Sequence, residues 1–181
     1  MVLALQCAGI GPGSEVIVPT FTMIAVPNAV SFVGAHPIFV DNAAPNNYNP
    51  SLAEIKQSIT SKTKAIIVTH TYGNPVNDIA QIAEECKRNC WTLIEDISEC
   101  VGIKIRQFSS SKNFASKTKL LGTFGDYACA SLYANKVCQF NIYGTQYIQY
   151  MIFETISGLH ILQGFRFDFS VKPLPYPTLS P

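Results

Sequence analysis

The amino-acid sequence predicts an α/β fold, and two observations support this prediction. Between residues 15 and 131, short β-branched runs alternate with segments whose apolar residues recur at helical spacing. The chain has 181 residues, of which 48% are hydrophobic. A chain of this length and composition has room for one domain with a hydrophobic core, which argues against a disordered chain and against a disulfide-stapled miniprotein.

Five short apolar runs predict the strands, and capping signals predict the helices between them. The predicted strands cover residues 16–18, 38–40, 65–68, 91–94 and 127–132. A first helix is predicted over residues 22–33, ending at Gly34. A second runs to residue 59 with Asn49 as N-cap and Pro50 in its first turn, and Asp78 with Gln81 at capping-box spacing opens a third.

Two further stretches do not follow this alternation. Residues 104–119 carry Lys and Arg but no Asp or Glu, which predicts a solvated surface insertion, with an anion-contacting loop as the alternative. Residues 137–181 are aromatic and apolar without clear periodicity, and the proline-rich residues 172–181 are predicted to be extended or disordered.

Charge and cysteine usage exclude several classes of protein. The net charge of +1 provides no global field for nucleic acid or an anionic membrane, and the first residues fit neither a signal peptide nor a membrane anchor. No Cys-x-x-Cys pair and no Cys/His cluster at zinc spacing occurs, so no metal site is predicted. We expect buried free thiols and a reducing cytoplasm; the cysteines are Cys7, Cys86, Cys90, Cys100, Cys129 and Cys138.

Polar residues at predicted strand ends are the candidates for chemistry. Glu95 and Asp96 follow the fourth strand, Ser131 lies in the fifth, and Lys136 comes just after it. An amine, a carboxylate and a hydroxyl suit pyridoxal phosphate, but such residues stand near strand ends in many α/β proteins. A nucleotide-binding turn at residues 9–13 is disfavoured, because it has GxGxG spacing and precedes a strand instead of following one.

Four linked segments resemble the DegT/DnrJ/StrS-type nucleotide-sugar aminotransferases. They are GIGPGSEVIVPTFTMIAVPNAVSFVGAHPIFVD, ITSKTKAIIVTHTYGNPVND, LIEDISECVG and GTFGDYACASLYANK, in the family's order. Glu99 and the Val-Asp-Asn at residues 40–42 are similar to the GDP-perosamine synthase branch. The resemblance implies pyridoxal 5'-phosphate as cofactor, a nucleotide-linked keto sugar as substrate and an amino acid such as glutamate as donor.

The resemblance also implies roles for individual residues. Lys136 would carry the cofactor and shuttle the proton, Asp96 would pair with the ring nitrogen, and Ser131 would bond the phosphate. Glu99 falls near the ring hydroxyl, and Met23 stands where the family has an aromatic residue on the cofactor face.

His70 matches a family histidine. Its role stays open between a site residue and a hydrogen-bonded residue that structures the edge of the site.

The resemblance covers only part of the chain. It implies an incomplete large domain of a fold-type-I transferase over residues 1–136, with a mixed, mostly parallel sheet flanked by helices, followed by an unmatched tail over 137–181. We expect a chain truncated at both ends, without the Gly-Thr phosphate loop and the C-terminal domain. Two outcomes remain open: an aminotransferase, which in this family is a homodimer, or an inactive remnant that at most binds cofactor or a full-length partner.

Overall fold

A central β-sheet organises the part of the chain described by the computed structural model, which is residues 1–42, 48–107, 117–131, 150–156 and 159–162. Its α-helices are α1 (Val2–Cys7), α2 (Ala25–Phe32), α3 (Leu52–Gln57) and α4 (Ile79–Asn89). Its strands are β1 (Glu15–Pro19), β2 (His36–Val40), β3 (Thr63–Thr69), β4 (Thr92–Asp96), β5 (Lys104–Gln107), β6 (Lys117–Leu120), β7 (Tyr127–Ser131), β8 (Tyr150–Ile156) and β9 (Leu159–Leu162). The predicted alternation of strands and helices is confirmed.

Seven of these strands form one sheet in the order β2-β1-β3-β4-β7-β8-β9. The first five run parallel to one another, β8 pairs antiparallel with β7, and β9 pairs antiparallel with β8. The sheet is therefore mixed and mostly parallel, as predicted. Because parallel strands end at the same edge, β1, β2, β3, β4 and β7 share one edge, here called the carboxyl edge.

The parallel part of the sheet is covered on both faces, and neighbouring residues of its strands face opposite layers. Val16 of β1 and Ile67 of β3 pack in a core with α1 and α2. Ile17 and Ile66, one residue away, pack in a second core with α3 and α4. Burial on both faces explains why these strands read as continuous apolar runs in the sequence.

The start of α3 differs from the predicted one. Ser51 is the N-cap, and it forms a capping box in which the Glu54 carboxylate accepts the Ser51 backbone N–H at 2.5 Å. The predicted N-cap, Asn49, instead donates its side-chain amide to the Asn74 carbonyl at 3.0 Å. The Ser-x-x-Glu pattern is favoured because it satisfies two backbone donors at once.

Asp78 begins α4 as predicted, but without a side-chain capping bond. Its carboxylate accepts the backbone N–H of Leu52 at 3.0 Å and so links the starts of α3 and α4. The capping box predicted with Gln81 is therefore wrong. α2 is shorter than the predicted 22–33, and Gly34 follows its end with a φ of 78°, a left-handed conformation that favours glycine.

The basic stretch at 104–119 is not simply a surface insertion. Its described ends, β5 and β6, pair antiparallel, with Lys104 opposite Leu120. Ile105 packs against core residues, and Ile103 lies two residues before it. The alternation of these two isoleucines indicates a strand that the Lys- and Ser-rich composition obscured. Residues 108–116 lie outside the described residues.

The sheet continues past the predicted domain boundary at residue 136. Strands β8 and β9 belong to the segment 137–181, and β8 pairs with β7 along the whole length of β7. Residues 132–149 and the proline-rich end of the chain lie outside the described residues. The boundary itself therefore stays a prediction.

Five of the six cysteines lie among the described residues, and all five are free thiols. Cys86, Cys100 and Cys129 are buried, as predicted, whereas Cys7 and Cys90 are exposed, so the prediction of burial is wrong for these two. Cys138 lies outside the described residues.

Burial determines which of these thiols react. It raises the pKa of Cys86 and of Cys100 to about 12, and it raises the pKa of Cys129 as well. At pH 8 these three remain protonated, and the thiol is not the reacting species. In a chain with Cys7, Cys90 and Cys138 replaced by serine, we expect no reaction with an aromatic disulfide reagent until denaturant is added. Rapid modification of the folded chain would contradict this expectation.

Candidate functional site

Asp96 and Ser131 lie together on one face of the carboxyl edge. Their strands, β4 and β7, are parallel neighbours, with Asp96 opposite Cys129. Ile94 and Cys129 both pack in the core with α1 and α2. Because side chains alternate along a strand, Asp96 and Ser131 point to that same face. Asp96 is half-buried and Ser131 is buried.

One oxygen of the Asp96 carboxylate is held by the turn that follows β4. Oδ1 accepts the backbone N–H of Ser98 at 3.0 Å and its hydroxyl at 2.5 Å. Within the described residues, no hydrogen bond reaches Oδ2. The turn thus orients the carboxylate and leaves its second oxygen able to accept a bond from a bound cationic or N–H group.

Glu99, three residues after Asp96, binds a neighbouring turn. Its Oε2 accepts the backbone N–H of Tyr72 at 2.6 Å, and Tyr72 has a φ of 55°. Gly73 follows with a φ of 74°, and a Cβ there would lie 3.3 Å from the Glu99 carbonyl oxygen. The glutamate therefore fastens the His-x-Tyr-Gly turn, which requires left-handed backbone, to the carboxyl edge.

Glu95 and His70 lie on the opposite face from Asp96. Both side chains are fully buried, and His70 Nε2 is 3.2 Å from Glu95 Oε2. The other ring nitrogen of His70, Nδ1, accepts the backbone N–H of Val76 at 3.1 Å. Both nitrogens are thus engaged inside the protein, and this geometry favours the structural interpretation of His70.

Met23 lies between β1 and α2, with 70% of its surface exposed. An exposed cluster of three rings was missed by the sequence analysis: Phe21, Tyr48 and Tyr72 lie with ring centroids 5.3–6.0 Å apart. The rings come from segments far apart in the chain, so their contact depends on which strands are neighbours in the sheet. Both features lie at the carboxyl edge.

Lys136 falls outside the described residues, so its assignment stays a prediction. Among the residues that are described, no group of three or more His, Cys, Asp or Glu side chains is placed to hold a metal ion. In the same residues, no helix has the length and apolar character needed to cross a membrane.

Comparison with known proteins decides the family. Residues 1–140 match the model of the DegT/DnrJ/EryC1/StrS aminotransferase family. The chain belongs to this family. The match extends four residues past the boundary predicted at Lys136, and the predicted resemblance is confirmed.

Curated relatives of the chain act on different nucleotide sugars, according to their names. The chain is 44% identical over 134 residues to the GDP-perosamine synthase of Escherichia coli O157:H7, covering 74% of this chain and 33% of that one. It is 40% identical over 136 residues to the UDP-N-acetyl-3-dehydro-alpha-D-glucosamine 3-aminotransferase of Acidithiobacillus ferrooxidans, covering 75% and 33%. The chain therefore spans about a third of the length of these relatives.

Solved structures share the fold. The aminotransferase from Psychrobacter cryohalolentis has a TM-score of 0.66 at 28% identity, covering 76% of this chain and 32% of that one. NtdA from Bacillus subtilis, with bound cofactor PMP, has a TM-score of 0.63 at 28% identity, covering 76% and 28%. These findings confirm the fold class and indicate pyridoxal phosphate as the cofactor, as the resemblance implied.

The donor set at the carboxyl edge fits this cofactor. Asp96 presents a carboxylate oxygen, which suits a protonated ring nitrogen, and the Ser131 hydroxyl on the same face suits a phosphate. Met23 exposes a thioether on the same edge. The structure brings Asp96 and Ser131 together on neighbouring strands, whereas Met23 lies in the segment that follows β1, a strand two positions away from β4 in the sheet.

Proposed function

We propose that this chain is the cofactor-binding part of a nucleotide-sugar aminotransferase. It would transfer an amino group from an amino acid such as glutamate to a nucleotide-linked keto sugar. The observation that carries the proposal is the placement of Asp96 and Ser131 on one face of adjacent parallel strands, at the edge where α/β proteins bind ligands. Because the chain belongs to the aminotransferase family, we assign these two residues to the binding of pyridoxal phosphate.

Asp96 would hold the ring nitrogen of pyridoxal phosphate in its protonated form. When bound, this cofactor supplies an electron sink for the carbon that carries the amino group. The carboxylate contributes by keeping a negative charge at Oδ2, while its Oδ1 stays fixed by Ser98. A charge-assisted hydrogen bond from a fixed carboxylate is stronger than one between neutral groups.

The remaining side chains would orient the cofactor and move the proton. Ser131 would donate its hydroxyl to the phosphate, and Met23 would contact the ring face through its thioether. Glu99 would lie near the ring hydroxyl, where its charge is partly offset by the N–H of Tyr72. Lys136 would bond the cofactor through its amine and carry the proton between donor carbon and sugar carbon.

The class of sugar and the oligomeric state are proposed from the relatives and the family. Because the relatives named above act on GDP- and UDP-linked sugars, we propose only a nucleotide-linked keto sugar as the acceptor class. A homodimer is proposed because the chain belongs to this family. Free thiols at all five described cysteines are compatible with a reducing cytoplasm.

A cofactor titration tests this proposal. The purified chain is titrated with pyridoxal phosphate while its visible absorbance is followed, with Lys136→Ala and Lys62→Ala measured in parallel. Lys62 is an exposed lysine before β3, at the edge of the sheet opposite the proposed site, and serves as the matched control. We expect a saturable visible band that persists in Lys62→Ala and disappears in Lys136→Ala, because only an amine at the site can bond the cofactor specifically.

The opposite outcome has a defined meaning. If no saturable band forms, or if the band is unchanged in Lys136→Ala, the proposed function is wrong for this chain. The inactive remnant would then be the better description of it.

A further inference from the structure

The Glu95 carboxylate joins three segments of the chain inside the protein. Its Oε1 accepts the backbone N–H groups of Phe124 and Gly125 at 2.6 and 2.7 Å. Its Oε2 accepts the backbone N–H of Gly122 at 2.8 Å and lies 3.2 Å from His70 Nε2. One side chain of β4 therefore binds both the turn that leads into β7 and the residue that follows β3.

The turn over residues 122–125 is shaped to reach this carboxylate. Gly122 has a φ of 85°, and a Cβ on Gly125 would lie only 2.5 Å from the carbonyl oxygen of Leu93 in β4. Glycine at 125 thus lets the turn lie directly against β4. This close approach places three backbone N–H groups around one buried carboxylate.

The hydrogen bonds of His70 define its protonation. Nδ1 accepts the N–H of Val76, so this nitrogen carries no proton. Nε2 must then carry the ring proton, and its N–H donates a hydrogen bond to Glu95. The backbone N–H of His70 also donates to the Asp96 carbonyl at 3.2 Å, which connects the same residue to the strand end that carries the candidate site.

We propose that the Glu95–His70 pair is the positioning element of the cofactor site. Glu95 precedes Asp96 directly and faces the opposite side of the sheet, so any movement of the Glu95 backbone moves Asp96. Through the turn at 122–125 the same carboxylate fixes β7, which ends in Ser131. The pair sets the relative position of Asp96 and Ser131 without touching the ligand. This inference rests on the proposed function, which assigns those two residues to the cofactor.

Three variants separate positioning from general stability. His70→Leu removes the ring donor, whereas His70→Gln is the conservative variant that can restore an N–H to Glu95. Ile82→Val shortens a buried side chain of α4 in the core on the same face of the sheet and serves as the stability control. The urea midpoint of each variant is measured first, so that effects on the site are compared at known stability.

The first readout is independent of the cofactor. In amide ¹H–¹⁵N spectra of the chain, we expect His70→Leu to shift the signals of Asp96 and Ser131, and His70→Gln to shift them less. Ile82→Val should leave both signals in place. Ring ¹⁵N shifts of the unsubstituted chain should report a neutral His70 protonated at Nε2. A proton on Nδ1, or unshifted Asp96 and Ser131 signals in His70→Leu, would overturn the proposal.

The second readout is the dissociation constant for pyridoxal phosphate from equilibrium dialysis. We expect His70→Leu to weaken binding by about tenfold relative to Ile82→Val, by analogy with metal sites, where loss of an outer hydrogen-bond partner has effects of this order. His70→Gln should recover part of the loss. Equal dissociation constants in His70→Leu and the control would also overturn the positioning role.

The two proposals fail in different ways. If the unsubstituted chain binds no cofactor, the proposed function fails, and the amide spectra still decide whether the pair sets the position of Asp96 and Ser131. If the chain binds cofactor but the His70 variants behave like Ile82→Val, the positioning role alone fails.

Discussion

Replacement of Glu95 by alanine is expected to remove a large share of the free energy of unfolding. The variant would leave three backbone N–H groups and the ring N–H of His70 without their acceptor. A buried donor left without its acceptor costs about 1–3 kcal/mol, and this variant leaves four such donors. Domains of this kind have total stabilities of about 5–15 kcal/mol, so the loss would be a large fraction of the whole.

Urea unfolding followed through the single tryptophan, Trp91, measures this loss. Glu84→Ala is the matched control, because Glu84 is an exposed glutamate of α4. A surface change of this type alters stability by no more than about 0.5 kcal/mol. A loss below about 1 kcal/mol in Glu95→Ala would contradict the buried network, because a single unsatisfied buried group already costs this much.

This network shows which part of the site the sequence could not predict. Glu95 and Asp96 were both candidates because both follow an apolar strand. Alternation along β4 places them on opposite faces, and only Asp96 lies on the face of Ser131. His70 and Glu95 are 25 residues apart, so their contact depends on β3 and β4 being neighbours in the sheet. No local pattern contains that information.

The strands themselves were predictable for a physical reason. A parallel strand buried on both faces is apolar along most of its length, and β3 shows this as the run Ala65–Val68 within its observed range. The paired ends of the basic stretch were missed because β5 and β6 carry lysine or arginine at half of their positions. Ile105 of β5 packs against the core, but a single isoleucine among those charges is too weak a signal to predict a strand.

Helix ends depended on which competing polar group formed the cap. Asn49 was predicted as the N-cap of the second helix, and Ser51 stands two residues after it. Ser51 forms the cap, because Glu54 completes a reciprocal pair of hydrogen bonds with it. Asn49 is needed elsewhere, since its amide binds the Asn74 carbonyl across 25 residues. Long-range hydrogen bonds of this kind override local propensity, and they cannot be seen in a linear sequence.

Asp96→Asn is expected to have the largest effect on the proposed activity. Asparagine keeps an oxygen that can accept the Ser98 N–H and hydroxyl, so the turn after β4 should persist. It removes the negative charge that would hold the ring nitrogen protonated. Hydrogen bonds to charged groups contribute about 1.5–3 kcal/mol, so we expect the dissociation constant for pyridoxal phosphate to rise roughly tenfold or more.

The rate of amino-group uptake from glutamate should fall further than the affinity. Charge placed to stabilise a transition state contributes on the order of a hundredfold or more to the rate. The visible band that depends on Lys136 should still form, because Asp96 does not bond the cofactor covalently. Stopped-flow absorbance after adding glutamate to the cofactor-loaded chain measures this rate, and equilibrium titration measures the affinity.

Asp41→Asn is the matched control for Asp96→Asn, because Asp41 also follows a parallel strand at the carboxyl edge. Its carboxylate accepts the N–H of Asn42, a local bond that asparagine can preserve, just as in Asp96→Asn. If the bonds to Ser98 were the whole role of Asp96, both variants would keep the affinity and rate of the unsubstituted chain. A selective loss in Asp96→Asn would instead assign the effect to charge at the face shared with Ser131, because the two substitutions remove the same charge from the same edge of the sheet.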